Sequence, residues 1–140
     1  MAETHVIIGA GHAGGQAAVS LRGNGFQGRI VMIGEEPYVP YQRPPLSKKF
    51  LAGEIPLEKT YLKPPEFYRD QAVDLHLSTP VEAIDREART VRLADGSTLA
   101  YDRLLLATGS RVRRLPVPGV ELGGVHYLRT LDDVLAIQED

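Results

Sequence analysis

The chain has 140 residues, a formal net charge of -2, 43% hydrophobic and 24% charged residues, the composition of one globular domain. This weak negative balance offers no electrostatic reason to expect nucleic acid or an anionic membrane as partner. Cysteine is absent, which removes disulfides, thiolate metal ligands and a redox-active cysteine pair from these residues, and His5, His12, His76 and His126 lack metal-ligand spacing.

The amino terminus, "MAETHVIIGAG", has no basic leading segment and runs straight into an apolar strand, so it reads as neither a signal nor a transit peptide. No apolar run approaches the ~20 residues that span a bilayer. A cytoplasmic chain is the expectation. Residues 5–34 read as one βαβ unit. "THVIIG" is a short apolar strand. "AGGQAAVSLRGNG" is small and apolar, suited to a helix packed close to a sheet, with Gly23 and Gly25 as stops. "RIVMIG" is a second buried parallel strand.

Residues 36–65 form a long passage in which Pro37, Pro40, Pro44, Pro45, Pro56, Pro64 and Pro65 fix φ at many points. A loop of this length in a small domain is usually functional. Within it "LSKKFLAGE" predicts one short helix ending near Gly53, and "PPEFYRDQ" another with Pro64 and Pro65 at its start. From residue 73 the pattern becomes alternating: a strand over 73–77, then an antiparallel meander over 80–101 interrupted by "REAR" and the turn "ADGS". "RLLLA" predicts a buried strand that ends at "TG". "RVRRLPVPG" reads as loop and "VHYLRT" as extended. "LDDVLAIQED" begins a helix that Thr130 would cap ahead of Asp132 and Asp133.

The chemistry concentrates in "GAGHAGG". Gly9 permits a tight turn out of the strand. Gly11, lacking a Cβ, lets backbone approach a pyrophosphate, and Gly14 lets the helix pack near the strand. The helix start then offers free N–H groups and the positive end of its dipole to phosphate. His12 lies in this turn, where its backbone is expected to matter more than its ring. Glu35 ends the second strand about twenty residues past Gly14, where an acid accepts hydrogen bonds from an adenosine ribose. That argues against a 2′-phosphate at this position, and Glu36 beside it reads as a solvated carboxylate. The βαβ unit alone does not separate FAD from NAD, because both carry the same ADP half.

A plain NAD-binding domain would continue with further βα repeats, whereas this chain continues with "YVPYQRPPLSKKFLAGE", the meander and "YDRLLLATGSRVRRLPVPG". Through "RPPLSK", "LLLATGS" and "HYLRTLDD" it resembles the N-terminal part of the FAD-dependent, NAD(P)H-linked ferredoxin/rubredoxin reductases, including the putidaredoxin-reductase-like group. More broadly it is similar to the pyridine nucleotide–disulfide oxidoreductase superfamily. The resemblance covers residues 5–133 and implies an α/β, Rossmann-like FAD-binding fold: a parallel sheet with a small antiparallel meander. It also implies roles. Gly9, Gly11, His12, Ala13 and Gly14 would wrap the FAD pyrophosphate, and Glu35 would hold the adenosine ribose. Arg43 would lie along the ADP portion and Val81 would touch adenine through its backbone. Ala107, Thr108 and Gly109 would close over the cofactor. Arg129 would sit near the flavin ring, and Lys48 would reach it near its reactive nitrogen as the catalytic cation. Pro44 and Pro45 stiffen the approach to Lys48, and a cation there would stabilise negative charge on a reduced flavin.

In the parent enzyme the resemblance implies hydride transfer from NAD(P)H to FAD and single-electron transfer onward to a ferredoxin, rubredoxin or similar carrier. "RPPLSK" stands where the disulfide reductases of the superfamily carry their cysteine pair. The family plan nests an NAD domain inside the FAD domain and adds a C-terminal domain. No second GxGxxG for NAD(P)H occurs here, and the later strand that completes the FAD site is missing. The expectation is therefore an N-terminal portion of the FAD domain over residues 1–140, with an uncovered sheet edge beside "RLLLA". In isolation it would bind FAD weakly or not at all and show no NAD(P)H-dependent turnover. The alternatives are a non-catalytic nucleotide-binding fragment, or part of a related NADH oxidase or nitrite reductase flavoprotein. Arg111, Arg113 and Arg114 read as a solvated loop in preference to a docking patch for an acidic carrier or nucleic acid, since no aromatics interleave them.

Overall fold

A computed structural model describes residues 2–140. Val6, Ile7 and Ile8 carry strand β1 (Thr4–Ile8) into the interior, and all three are buried. Helix α1 (His12–Gly23) follows. It stops at Asn24, and Gly25 takes φ 83°, a conformation glycine adopts without strain. Strand β2 (Arg29–Ile33) is buried beyond its first residue. Helix α2 (Pro65–Asp70) starts after Pro64, as the Pro-Pro pair predicts, and leads into β3 (Val73–His76). The meander is β4 (Val81–Asp85), β5 (Thr90–Leu93) and β6 (Thr98–Ala100). Strand β7 (Arg103–Leu106) returns to the first sheet.

The chain divides into two units. The first comprises the chain as far as Tyr41 and Tyr61–Gly109. In it β3, β2, β1 and β7 pair side by side, in parallel, with Val6 opposite both Val31 and Leu104. Strands β4, β5 and β6 form a separate antiparallel sheet. Because side chains alternate across a strand, the parallel sheet has two apolar faces. Ile7, Ile30, Met32 and Val73 pack with Ala18 of α1 and Tyr68 of α2. Val6, Ile8, Val31 and Ile33 pack with Val91 and Leu93 of β5. Helices thus cover one face and the meander covers the other. Each buried valine, leucine, isoleucine or methionine side chain among these contributes up to about 1.5–3 kcal/mol of transfer free energy. Arg22 ties α1 to its surroundings by donating to the carbonyls of Phe26, Gly28, Gln71 and Ala72.

The expected burial of "RLLLA" is not realised. Strand β7 is the last strand on its side of the sheet, with Leu105 42% and Leu106 59% exposed. Its composition suits a strand covered on both faces, but its position at the edge leaves these leucines open.

The second unit comprises Gln42–Thr60 and Ser110–Asp140. "LSKKFLAGE" is not one helix. A 3-10 turn over Pro44–Ser47 ends where Lys48 leaves helical geometry (φ -133°, ψ -116°), and successive turns then run to Gly53 at φ 71°. A second 3-10 turn covers Leu57–Thr60. "VHYLRT" joins no strand ladder. Helix α3 (Leu131–Glu139) begins with a reciprocal cap: Thr130 Oγ1 accepts from the Asp133 N–H at 3.2 Å, and Asp133 Oδ2 accepts from the Thr130 N–H at 2.7 Å. Gln138 Nε2 donates to the carbonyls of Phe50 and Leu51, holding α3 against the turns.

Candidate functional site

The two strands beside β1 lie on opposite sides of it, so the carboxyl end of β1 is the point where the sheet's connections diverge and a crevice opens. The glycine turn occupies this position. Gly9 (φ 113°) donates its N–H to the Ile33 carbonyl at 2.8 Å, and a Cβ on it would strike the Ala107 carbonyl oxygen. A Cβ on Gly14 would strike the carbonyl oxygen of Gly9. Both glycines are therefore required by the protein's own packing. Gly11 differs. Its φ of -88° is open to any residue, and a Cβ there would meet nothing within 4 Å. The free space faces the start of α1, where no side chain caps the helix and the first turn holds no acid.

Gly9, Gly11 and Gly14 are thus brought together with His12 and Ala13, both exposed on the first turn of α1, and with the segment after β7. Ala107 donates its N–H to the Ile8 carbonyl at 2.8 Å, and Thr108 and Gly109 (φ 68°) continue from it, exposed. Glu35 follows β2 and is exposed. Its neighbour Gly34 lies so close to the turn that a Cβ on it would sit 2.6 Å from the Ala10 Cβ. The ends of β1, β2 and β7 therefore bring the glycine turn, a helix start and the exposed Glu35 to one end of the parallel sheet, an arrangement suited to a phosphate with an attached polyol. Val81 opens β4 opposite Leu93, with its side chain against the second core.

In the second unit, Arg43 donates to the Arg129 carbonyl at 2.6 Å, and Arg129 Nε donates to the Ser110 carbonyl at 3.1 Å. The Arg129 N–H is held by the Asp133 carboxylate at 2.8 Å. These arginines, far apart in sequence, stand together. Lys48 is exposed, with Nζ 3.4 Å from the Pro44 carbonyl. Arg111, Arg113 and Arg114 are exposed, but Arg114 is not merely solvated: its guanidinium lies 5.0 Å from the Tyr127 ring centroid.

Glu36 is a correction to the sequence reading. It is half-buried, and its carboxylate accepts the hydroxyl of the buried Tyr41. Nothing in the sequence hints at this, because a five-residue separation in a loop has no periodic signature.

The pyridine nucleotide-disulphide oxidoreductase family model matches residues 3–140. Rhodocoxin reductase of Rhodococcus erythropolis is 54% identical over 125 residues, covering 89% of this chain and 29% of that relative. The ferredoxin reductase of the CYP199A2 system from Rhodopseudomonas palustris superposes with a TM-score of 0.92 at 46% identity, over 98% of this chain and 34% of that one. The reductase chain of a covalent putidaredoxin reductase–putidaredoxin complex superposes with a TM-score of 0.90 at 43% identity, again over 98% and 34%. The chain spans about a third of the length of the relatives it matches. Among the described residues no helix is long and apolar enough to cross a membrane.

Proposed function

Because the chain belongs to the pyridine nucleotide-disulphide oxidoreductase family, we propose that it is the FAD-binding portion of a flavoprotein that passes electrons from NAD(P)H to a ferredoxin, rubredoxin or similar carrier. The observation that carries the reading is Gly11. Its neighbours Gly9 and Gly14 are glycine because the protein's own carbonyls crowd them, whereas nothing among the described residues crowds Gly11. Its missing Cβ serves something outside the chain, at the start of a helix, where an anion is favoured.

The residues present fit such a group. Gly9, Gly11, His12, Ala13 and Gly14 line the space for a pyrophosphate, and Ala107, Thr108 and Gly109 border it from β7. Glu35 accepts from the adenosine ribose, and an acid there opposes a 2′-phosphate. Val81 is proposed for adenine. In the second unit, Arg43, Lys48 and Arg129 are proposed as the cofactor's cationic contacts on the strength of the resemblance, with Lys48 beside the flavin ring. FAD, when bound, accepts a hydride and releases electrons singly. What these residues supply is attachment, orientation and positive charge. The chain has no cysteine, so no dithiol within it takes part. The relatives' names support a protein carrier as electron acceptor. A cytoplasmic setting fits, because that is where NAD(P)H is supplied.

Gly11→Val tests the reading. The substitution suits the observed backbone angles, and a Cβ at this position has no described atom within 4 Å. It is expected to keep the thermal midpoint within about 3 °C. It is also expected to weaken FAD binding by roughly tenfold or more, followed by flavin fluorescence. Equal FAD affinity in the variant and the parent chain, or no saturable binding by the folded parent chain, would overturn the proposal.

A further inference from the structure

The segment that carries Glu35 is held from both sides. Before it, Gly34 donates its N–H to the His76 carbonyl and accepts from the Thr79 N–H, both at 2.8 Å. Gly34 also backs directly onto Ala10 of the glycine turn. After it, the Glu36 carbonyl accepts from the Ser78 N–H at 3.1 Å, and the Glu36 carboxylate accepts the Tyr41 hydroxyl. Tyr41 is itself fixed: it is 3% exposed, meets Tyr38 edge-on at 6.2 Å between ring centroids, and pairs with Tyr61 through an isolated antiparallel bridge. Glu35 is exposed, between anchored neighbours on either side.

From this we infer that Tyr41 and Glu36 are positioning residues for the ribose-binding carboxylate of Glu35. The inference rests on the proposed function, because it gives Glu35 the adenosine ribose. A carboxylate on a loose loop would sacrifice backbone and side-chain freedom each time it received two vicinal hydroxyls. The Tyr41–Glu36 bond makes that ordering in advance, so less is lost on binding. Tyr41 reaches the ligand only through Glu36 and the backbone of residues 34–36.

The experiment compares the parent chain with Tyr41→Phe, Glu36→Ala, the double variant and Glu35→Gln. Each is titrated with FAD and with an FAD analogue whose adenosine ribose lacks its 2′- and 3′-hydroxyls. Phenylalanine keeps the buried ring and removes only the hydroxyl. Tyr41→Phe is expected to weaken FAD about fivefold and leave the analogue's affinity unchanged. The double variant should lose no more than Glu36→Ala alone, since the Tyr41–Glu36 bond is already gone in that variant. Amide hydrogen exchange, read without ligand, should speed up at Ser78, which bonds Glu36, and not at Thr79, which bonds Gly34. Equal losses for FAD and the analogue, or a Tyr41→Phe chain that binds FAD as the parent does while Glu35→Gln weakens it, would overturn the positioning role alone. A Glu35→Gln chain with undiminished FAD affinity would overturn the ribose role of Glu35 and this inference with it.

Discussion

Tyr68 is fully buried in the first core, and among the described residues its hydroxyl has no hydrogen-bond partner. Burial pushes its phenol up to about 12, from an ordinary value of 10.0. The sign follows. Between those values the unfolded chain has released the proton and the folded chain still holds it, so stability falls as pH rises from about 10 to about 12. Tyr68→Phe removes an unsatisfied polar group and keeps the ring, so near neutral pH it should be neutral or stabilising by up to about 1 kcal/mol. It should also flatten the alkaline decline, with urea unfolding across pH 8–12 as the measurement (roughly the span around the phenol's ordinary range). At this scale the sequence was partly legible. Gly9, Gly11 and Gly14 stand out by their spacing, but their different reasons for being glycine do not. Gly9 is crowded by Ala107, nearly a hundred positions away along the chain, a pairing no local pattern carries.

Among the elements, helix α3 has its start written into four consecutive residues. Thr130 and Asp133 cap each other's backbone, and Asp133 also holds the Arg129 N–H. Thr130→Ala is expected to cost about 1 kcal/mol in urea unfolding, with Thr130→Ser close to the parent. This cap, the strands of the βαβ unit and the Pro-Pro start of α2 were all legible, because each is decided by residues within a turn or two of one another. "LSKKFLAGE" was not. Its residues favour helix, yet Lys48 departs from helical angles and the chain continues as turns that α3 braces through Gln138. The competing term is a contact between segments 87 and 88 residues apart, which outweighs local propensity.

On the scale of the whole molecule, the exposed edge at β7 is the feature with physical consequences. An edge strand offers unpaired N–H and C=O groups, and here it also presents Leu105 and Leu106 to solvent. The chain is therefore expected to self-associate with rising concentration. Leu106→Lys should raise the concentration at which light scattering increases, while leaving the thermal midpoint within about 4 °C. Unchanged association in that variant would place the contact elsewhere.

By itself the sequence determined the order and kind of most elements, the glycine turn with its acid about twenty residues on, and the cap of α3. These depend on hydrophobic period, turn chemistry and spacing, which act between near neighbours. Only the tertiary structure decided that Leu105 and Leu106 of β7 lie open to solvent, that Arg43 meets the Arg129 carbonyl across 86 positions, and that Glu36 is held by Tyr41. Those outcomes turn on which distant segments share a sheet or a core face. That choice minimises exposed apolar surface and unpaired polar groups over the chain as a whole, and no window of the sequence contains it.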